Sequence, residues 1–248
     1  MRTVAKALSV LDLFSESQPN LGLSEISRQL GWDKSNVQRY VTDLAARGIL
    51  EQNQRDKSYF LGPAITRLAM LRDRTHPIAA ELRRALVELV DKTGETAHAS
   101  MLVGNELMTA DVVETKIRGT RVYIDPAASL PFHASGSGIA VLSRSDQKRV
   151  DELIDSGLEK FTSRTPTAKS EVIKRITTAR RRGYAKMFGS YESDVVGVAA
   201  PIVGFDGSAV GAIAVATPTA RFDAAVEKMI STSVMSAADK VSQMHGAR

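Results

Sequence analysis

Five polar side chains within six residues, Lys34, Ser35, Asn36, Gln38 and Arg39, are the groups in this chain best suited to reading a polyanion. Lysine and arginine pair with phosphates, and arginine, asparagine and glutamine can satisfy two hydrogen-bonding atoms of a base edge at once. They stand opposite Val37, Tyr40, Val41 and Leu44, whose spacings of three and four define the buried stripe of a helix. Asp33 is placed to cap that helix, and Arg47-Gly48 ends it. A shorter helix precedes it. Ser24 is its expected N-cap, Ile26 and Leu30 share a face, and Gly31 supplies the left-handed stop. Ile49-Leu50, a polar turn carrying Arg55 and Lys57, and Tyr59-Phe60-Leu61 then read as a β-hairpin. Two helices at tight-turn spacing followed by a basic-tipped hairpin predict a winged helix-turn-helix that binds DNA.

No second constellation carries comparable chemistry. The chain has no cysteine, so disulfides, thiolate nucleophiles and cysteine-based zinc sites are excluded. His98 and His133 have no partners at metal-ligand spacing and read as packing or capping residues. Gly136-Ser137-Gly138 lacks the flanking residues of a nucleophile turn, which disfavours an enzyme with a DNA-binding head. The basic run Lys174–Arg182 is interleaved with Ile176 and Ala179 and follows Val172-Ile173, so it reads as a solvated helix face. No cofactor and no metal are expected.

Net charge is +5, and the first 75 residues hold 11 Lys/Arg against 8 Asp/Glu. The basic excess lies toward the N-terminus but is mild, so the motif rather than the charge argues for nucleic acid. No apolar run approaches the about 20 residues of a membrane span, and Met1–Ser17 is amphipathic rather than a leader. A soluble cytoplasmic protein with no membrane partner is expected.

The elements that position these residues follow from periodicity. Val4, Ala7, Leu8, Leu11 and Phe14 give one apolar face to a helix over Thr3–Ser15. Pro63 opens a linker helix that runs to about Arg74, and Thr75-His76-Pro77 breaks it. Ile78–Thr93 is a helix with Leu82, Leu86, Leu89 and Val90 inward, closed by Gly94. Strands are expected at Thr96–Val103, Leu107–Glu114, Arg121–Ile124, Tyr184–Phe188, Val195–Val203 and Val210–Thr217. Helices are expected within Pro131–Leu142, from Ser145-Asp146 to Ile154, over Ser170–Arg182, and over Ala220–His245. The fold class is α+β: a winged helix-turn-helix domain at 1–62, a linker helix at 63–76, and at 77–248 an antiparallel sheet flanked by helices.

The whole chain resembles the IclR family of bacterial transcription regulators. The resemblance lies in LSEISRQLGWDKSNVQRYVTDLAARGIL and YFLGPAITRLA, then in TGETAHASMLVGNELMTADVVE, LPFHASGSGIAVL, TPTAKSEVIKRITTARRRGYA and GVAAPIVGFDGSAVGAIAVATP, in order over roughly residues 3–245. It implies a GAF-like C-terminal domain that binds a small organic effector. It also implies a homodimer or a dimer of dimers on a pseudo-palindromic double-stranded operator. Lys34–Ala46 would be the recognition helix, with Ser35, Asn36, Gln38 and Arg39 toward the major groove. Arg55 and Lys57 would lie in the wing, and Arg2 and Thr3 in an N-terminal arm near the backbone. Arg39 and Gln38 are assigned to base or phosphate contacts without a choice between them, and Lys57 to a phosphate.

Four departures from the family concern the effector pocket. Gly138-Ile139 stands where a Gly-Lys pair is usual, Met187 where an acidic residue is common, and Gly197 where a cysteine often lies. Ala214 and Ala216 replace the Ser-x-Ser hydroxyls of keto-acid binders. A buried carboxylate without partners is costly, so a glyoxylate- or pyruvate-like effector is disfavoured. Gly197, Ala214 and Ala216 leave space. Met101, Tyr123, Phe132, Ile139, Met187 and Phe188 are the expected apolar walls, and Ser135 and Ser137 the expected donors. Backbone N–H groups near Gly136–Gly138 are expected to take any carboxylate or carbonyl. A flat, largely apolar effector such as an aromatic acid, amide or ester fits this pattern. A closed pocket on a constitutive DNA binder is the alternative.

Overall fold

The computed structural model describes residues 3–15, 17–75 and 78–244. The chain forms two compact units, Met1–Pro77 and Ile78–Arg248.

In the first unit, α1 (Thr3–Leu11), α2 (Leu23–Leu30) and α3 (Lys34–Ala46) pack around Val10, Phe14, Ile26, Val37, Val41 and Leu44. The hairpin β1 (Leu50–Gln52) and β2 (Tyr59–Leu61) follows, antiparallel, with Leu50 opposite Leu61. Helix α4 (Pro63–Thr75) ends the unit's described elements. The expected stripe of α3 is buried, and Gly31 ends α2 at φ 65°.

Three local expectations change. Ser24 does not cap α2, because the helix starts two residues earlier, with Gly22 at the cap position. The cause is long-range: Leu21 exchanges two backbone hydrogen bonds with Tyr59 of the wing (2.9 and 2.8 Å), and the chain turns into the helix directly after this bridge. Asp33 occupies the cap position of α3, but its carboxylate makes no capping bond. Helix α1 stops at Leu11 rather than Ser15, and its inner face is rotated. Val10 and Phe14 are buried, with Ala7 and Leu11 packed beside them, while Val4 and Leu8 are 71% and 53% exposed. A turn from the Leu11 carbonyl to the Phe14 N–H (3.2 Å) carries Phe14 into the core after the helix has ended.

The second unit is a five-stranded antiparallel sheet in the order β4-β3-β7-β6-β5: β3 (Thr96–Val103), β4 (Glu106–Val113), β5 (Ala185–Phe188), β6 (Val195–Val203) and β7 (Ala209–Pro218). Helices α5 (Ile78–Thr93) and α9 (Ala224–Met244) cover one face. Helices α6 (Gly136–Leu142), α7 (Gln147–Asp155) and α8 (Lys169–Arg182) belong to the other. Side chains alternate across a strand, and along β6 and β7 the alternation puts most of the larger residues on one face. Val196, Val198, Ile202, Ile213 and Val215 face α5 and α9. Ala199, Ala212 and Ala214 face the α6 layer. This small-residue face lets α6 lie deep enough for all seven of its residues to be buried. A Cβ on Gly136 would come within 2.9 Å of the Gly197 carbonyl oxygen, and one on Gly138 within 2.3 Å of the Phe132 carbonyl oxygen.

Arg121–Ile124 is not a strand. Isolated side-chain bonds hold the segment in place of a ladder: Thr96 Oγ1 donates to the Val122 carbonyl (2.9 Å), and Arg221 donates to the Thr120 carbonyl (3.1 Å). The final helix starts at Ala224 rather than Ala220. Thr219–Arg221 forms a 3-10 turn, and Asp223 accepts from the Val226 N–H (2.8 Å). His76, Pro77 and His245, at the expected helix limits, lie outside the described residues.

Candidate functional site

The recognition surface of the first unit is set by helix geometry. Once Val37, Tyr40, Val41 and Leu44 are buried, the opposite side of α3 must face solvent, and Lys34, Ser35, Asn36, Gln38 and Arg39 are all exposed. Gln38 Nε2 donates to Thr42 Oγ1 (3.0 Å), and the Arg39 guanidinium lies 5.4 Å from the Tyr40 ring centroid. These contacts steer the two long side chains along the helix surface while leaving most of their donors unused. Ser24, on the outer side of α2, and Thr3, at the start of α1, are both exposed. Arg2 lies outside the described residues.

The wing tip is a tightly bonded polar turn. Arg55 N–H donates to Asn53 Oδ1 (2.9 Å), and Ser58 donates through both its N–H (2.9 Å) and its hydroxyl (2.6 Å) to Asp56 Oδ1. Lys57 N–H donates to the Asn53 carbonyl (2.9 Å), and Gln52 Nε2 donates to the Lys57 carbonyl (3.0 Å). Bonded on both sides, Lys57 is held at φ 60°, a left-handed conformation costly for a residue with a Cβ. Its side chain and that of Arg55 are exposed.

In the second unit, a cavity of about 160 Å³ opens on the α6 face of the sheet. Of the residues expected to form it, Tyr123, Ser135, Ser137, Met187, Gly197, Ala214 and Ala216 line it. Five others lie elsewhere. Met101 packs with the α5–α9 core on the far side of the sheet. Phe132 lies under the Arg149 guanidinium (5.3 Å), against the α6–α8 core. Ile139 is wholly within that core, and Gly138 is pressed against the Phe132 backbone. Phe188 stacks edge-on against Phe222, 6.5 Å away. The common reason is parity or depth. Met101 and Phe188 are on strand positions of the wrong face, and Gly138 and Ile139 sit one step too deep in α6.

Gly136, at the helix start expected to meet the ligand, also lines the cavity, as do His98, Ile124, Asp125, Ala128, Leu130, Ser190, Tyr191, Glu192 and Val195, which sequence reasoning missed. His98 is the chief omission. It projects from β3 between Ala97 and Ala99, which face the other core, and is only 6% exposed. Its Nε2 shares a hydrogen bond with Ser137 Oγ (3.2 Å). Burial pushes the imidazole pKa down to about 4, so the ring is neutral at physiological pH. His133 is a packing residue, as expected: its Nε2 bonds the Glu159 carbonyl (2.8 Å), and its ring lies 5.9 Å from that of Phe161.

Part of the donor set expected at the start of α6 is already bonded. Ser135 caps the helix, accepting from Gly138 N–H (3.0 Å) while its hydroxyl donates to the Pro131 carbonyl (2.8 Å), and Ile139 N–H donates to the Ser135 carbonyl. Two irregular segments close the cavity. Residues 115–124 are tied down by Thr96 and by Arg221, which also makes a bidentate pair with the buried Glu95 (2.8 and 2.7 Å). Residues 189–195 are braced by Thr162 and Thr165, whose hydroxyls donate to the Gly189 and Ser190 carbonyls (both 2.6 Å), and by Phe161 against Tyr191 (5.0 Å). Among the described residues, no group of acidic or histidine side chains forms a metal cluster, and no helix is long and apolar enough to cross a membrane.

Comparison with known proteins agrees with this architecture. The family described as bacterial transcriptional regulator IclR C-terminal matches residues 73–243, and the IclR helix-turn-helix domain matches residues 3–54. The HTH-type transcriptional regulator BhcR of Paracoccus denitrificans is 32% identical over 98% of this chain and 86% of its own length. A crystal structure of an IclR-type regulator from Silicibacter sp. TM1040 superposes with a TM-score of 0.90 at 35% identity, covering 100% of this chain and 97% of that one. An IclR homolog from Microbacterium hydrocarbonoxydans, solved in complex with 4-hydroxybenzoate, shares the fold with a TM-score of 0.82 at 20% identity, covering 98% of this chain and 100% of the other. With both halves of the architecture matched in order, this chain belongs to the IclR family: it is a transcriptional regulator, not an enzyme.

Proposed function

We propose that this regulator is a ligand-responsive repressor of a catabolic operon, released from its operator by a small, largely apolar, single-ring effector. The observation that carries the reading is the cavity on the α6 face. Met187, Leu130, Val195, Ala214 and Ala216 give it apolar walls, and its about 160 Å³ is close to the ~150 Å³ that accommodates one benzene ring in an apolar protein cavity. The Microbacterium relative's complex with 4-hydroxybenzoate supports a ring-sized occupant.

The exposed side chains of α3 read base edges, with Arg39 and Gln38 as the main contributors, while Arg55, Lys57 and Thr3 hold phosphates. The chain acts as a homodimer or a dimer of dimers on a pseudo-palindromic site. The exposed apolar residues Val4 and Leu8 of α1 and Leu68 and Met70 of α4 support self-association. An effector shifts operator occupancy only if it binds one state more tightly than the other. The test is binding to the DNA upstream of the protein's own gene, titrated with single-ring acids, amides and esters. Release by one compound is the expected result. Tight binding unchanged by every compound would support a constitutive regulator instead.

A further inference from the structure

We propose that the cavity selects a single-ring ligand with an amine or amide head group and rejects aromatic carboxylates. This rests on the cavity being the effector site and narrows what that site takes. Among the described residues, two carboxylates, Asp125 and Glu192, line it, and no lysine or arginine does so. Neither carboxylate makes an ion pair among the described residues.

The two hydroxyls at the start of α6 that could receive a ligand carboxylate, those of Ser135 and Ser137, are already committed. The Ser135 hydroxyl donates to Pro131 and accepts from Gly138 N–H. Ser137 is bonded to His98, an uncharged imidazole that brings no positive charge. An aromatic acid seated here would add a third negative charge beside two that have no counter-ion. The charges acting on this wall of the cavity are acidic. The Tyr191 phenol is raised by burial first and then by the charges of Glu192, Asp125 and Glu159, and the Glu192 carboxyl is itself raised by partial burial and by Asp194. An ammonium or amide N–H at this wall donates to carboxylate oxygens that lack a counter-ion. The ring then occupies the apolar floor formed by Met187, Ala214 and Ala216.

The experiment is calorimetric titration of the full-length protein with benzylamine, benzamide and benzoate, which share one ring and differ in the head group. Operator binding is measured in parallel. Benzylamine and benzamide are expected to bind at least about tenfold more tightly than benzoate, the scale of one screened like-charge contact replaced by a favourable one. In Asp125→Asn/Glu192→Gln the benzylamine preference should collapse, while benzamide binding changes by less than about threefold. The amide oxygen introduced by Asp125→Asn can still accept from the Ala127 N–H that Asp125 now holds at 2.9 Å, so the turn is preserved. Benzoate binding most tightly and releasing the operator would overturn this ligand class and leave the sensor reading standing. An amine preference that persists undiminished in the double variant would overturn the assigned residues. No binding of any of the three would overturn the ligand class. If neutral esters were inert as well, with operator binding intact, the sensor reading would fall with it.

Discussion

The two units present chemistry in opposite ways. The recognition surface of α3 is convex, carried by one helix, and exposed as a consequence of burying the other side. The cavity is concave and assembled from β3, β5, β6, β7, the start of α6 and two irregular segments, spanning residues 98 to 216. The first needs only a sound helix behind it. The second needs several elements held at the right depth, so its integrity rests on packing far more than on the lining side chains themselves.

The sharpest way to break this contrast is at two glycines of the second unit. Gly138→Ala places a methyl 2.3 Å from the Phe132 carbonyl oxygen, backbone that cannot move without unseating α6. It should cost about 4 kcal/mol, at the high end for a single substitution, and lower the melting transition of the second unit while leaving that of the first in place. Gly197→Ala meets only Gly136, at 3.6–3.7 Å, an ordinary contact. It should change stability by less than about 0.5 kcal/mol yet weaken binding of any ring-sized ligand by occupying its space. Equal destabilisation by both would mean that the cavity face is not close-packed as described.

His98 offers the next largest effect and links cavity to fold. Its pKa falls from the ordinary 6.5 to about 4 on burial. Between those values the unfolded chain binds a proton that the folded chain does not, so the contribution of His98 to stability is intact above pH 6.5 and is lost as the pH falls toward 4. Comparing denaturant unfolding of wild type and His98→Gln from about pH 7 to 4, the variant should lose up to about 3 kcal/mol less. Identical acid limbs would place the imidazole in solvent contact, against its burial.

The same contrast explains what is legible in the sequence. The stripe of α3, the inward face of α5 and the strands at 96–103 and 195–203 are periodic, and periodicity is a local property. The cap of α2 escapes such a reading because Gly22 takes that place through Leu21 pairing with Tyr59, a contact invisible to local pattern. Arg121–Ile124 carries strand-forming residues but is pinned by Thr96 and Arg221 from elsewhere in the chain. The cavity's Asp125, Tyr191 and Glu192 lie in irregular segments with no period at all. His98 is the recoverable one. Thr96, His98 and Ser100 alternate with Ala97 and Ala99 along a buried strand, and a polar face on an interior strand already signals either a ligand or a hydrogen-bond network.

On the convex side, Arg39→Ala and Gln38→Ala should each weaken operator binding by about 2 kcal/mol if they hold base edges, with the melting temperature unchanged because both are exposed. The loss should be confined to the cognate sequence. A loss equal on cognate and random DNA would reassign the residue to a phosphate.

Lys57 gives the smallest effect and the most diagnostic one. Its left-handed backbone, fixed by Asn53 and Gln52, costs on the order of 1 kcal/mol relative to glycine. Lys57→Gly therefore should raise the stability of the first unit by up to about that amount while removing one phosphate contact. Operator affinity should fall modestly and equally across sequences, and the slope of log affinity against log salt should become shallower by about 0.9. Stability and binding moving in opposite directions would mark Lys57 as strain retained for a charge at the wing tip. A gain in stability with an unchanged salt slope would take the wing tip off the DNA and leave α3 as the reading surface.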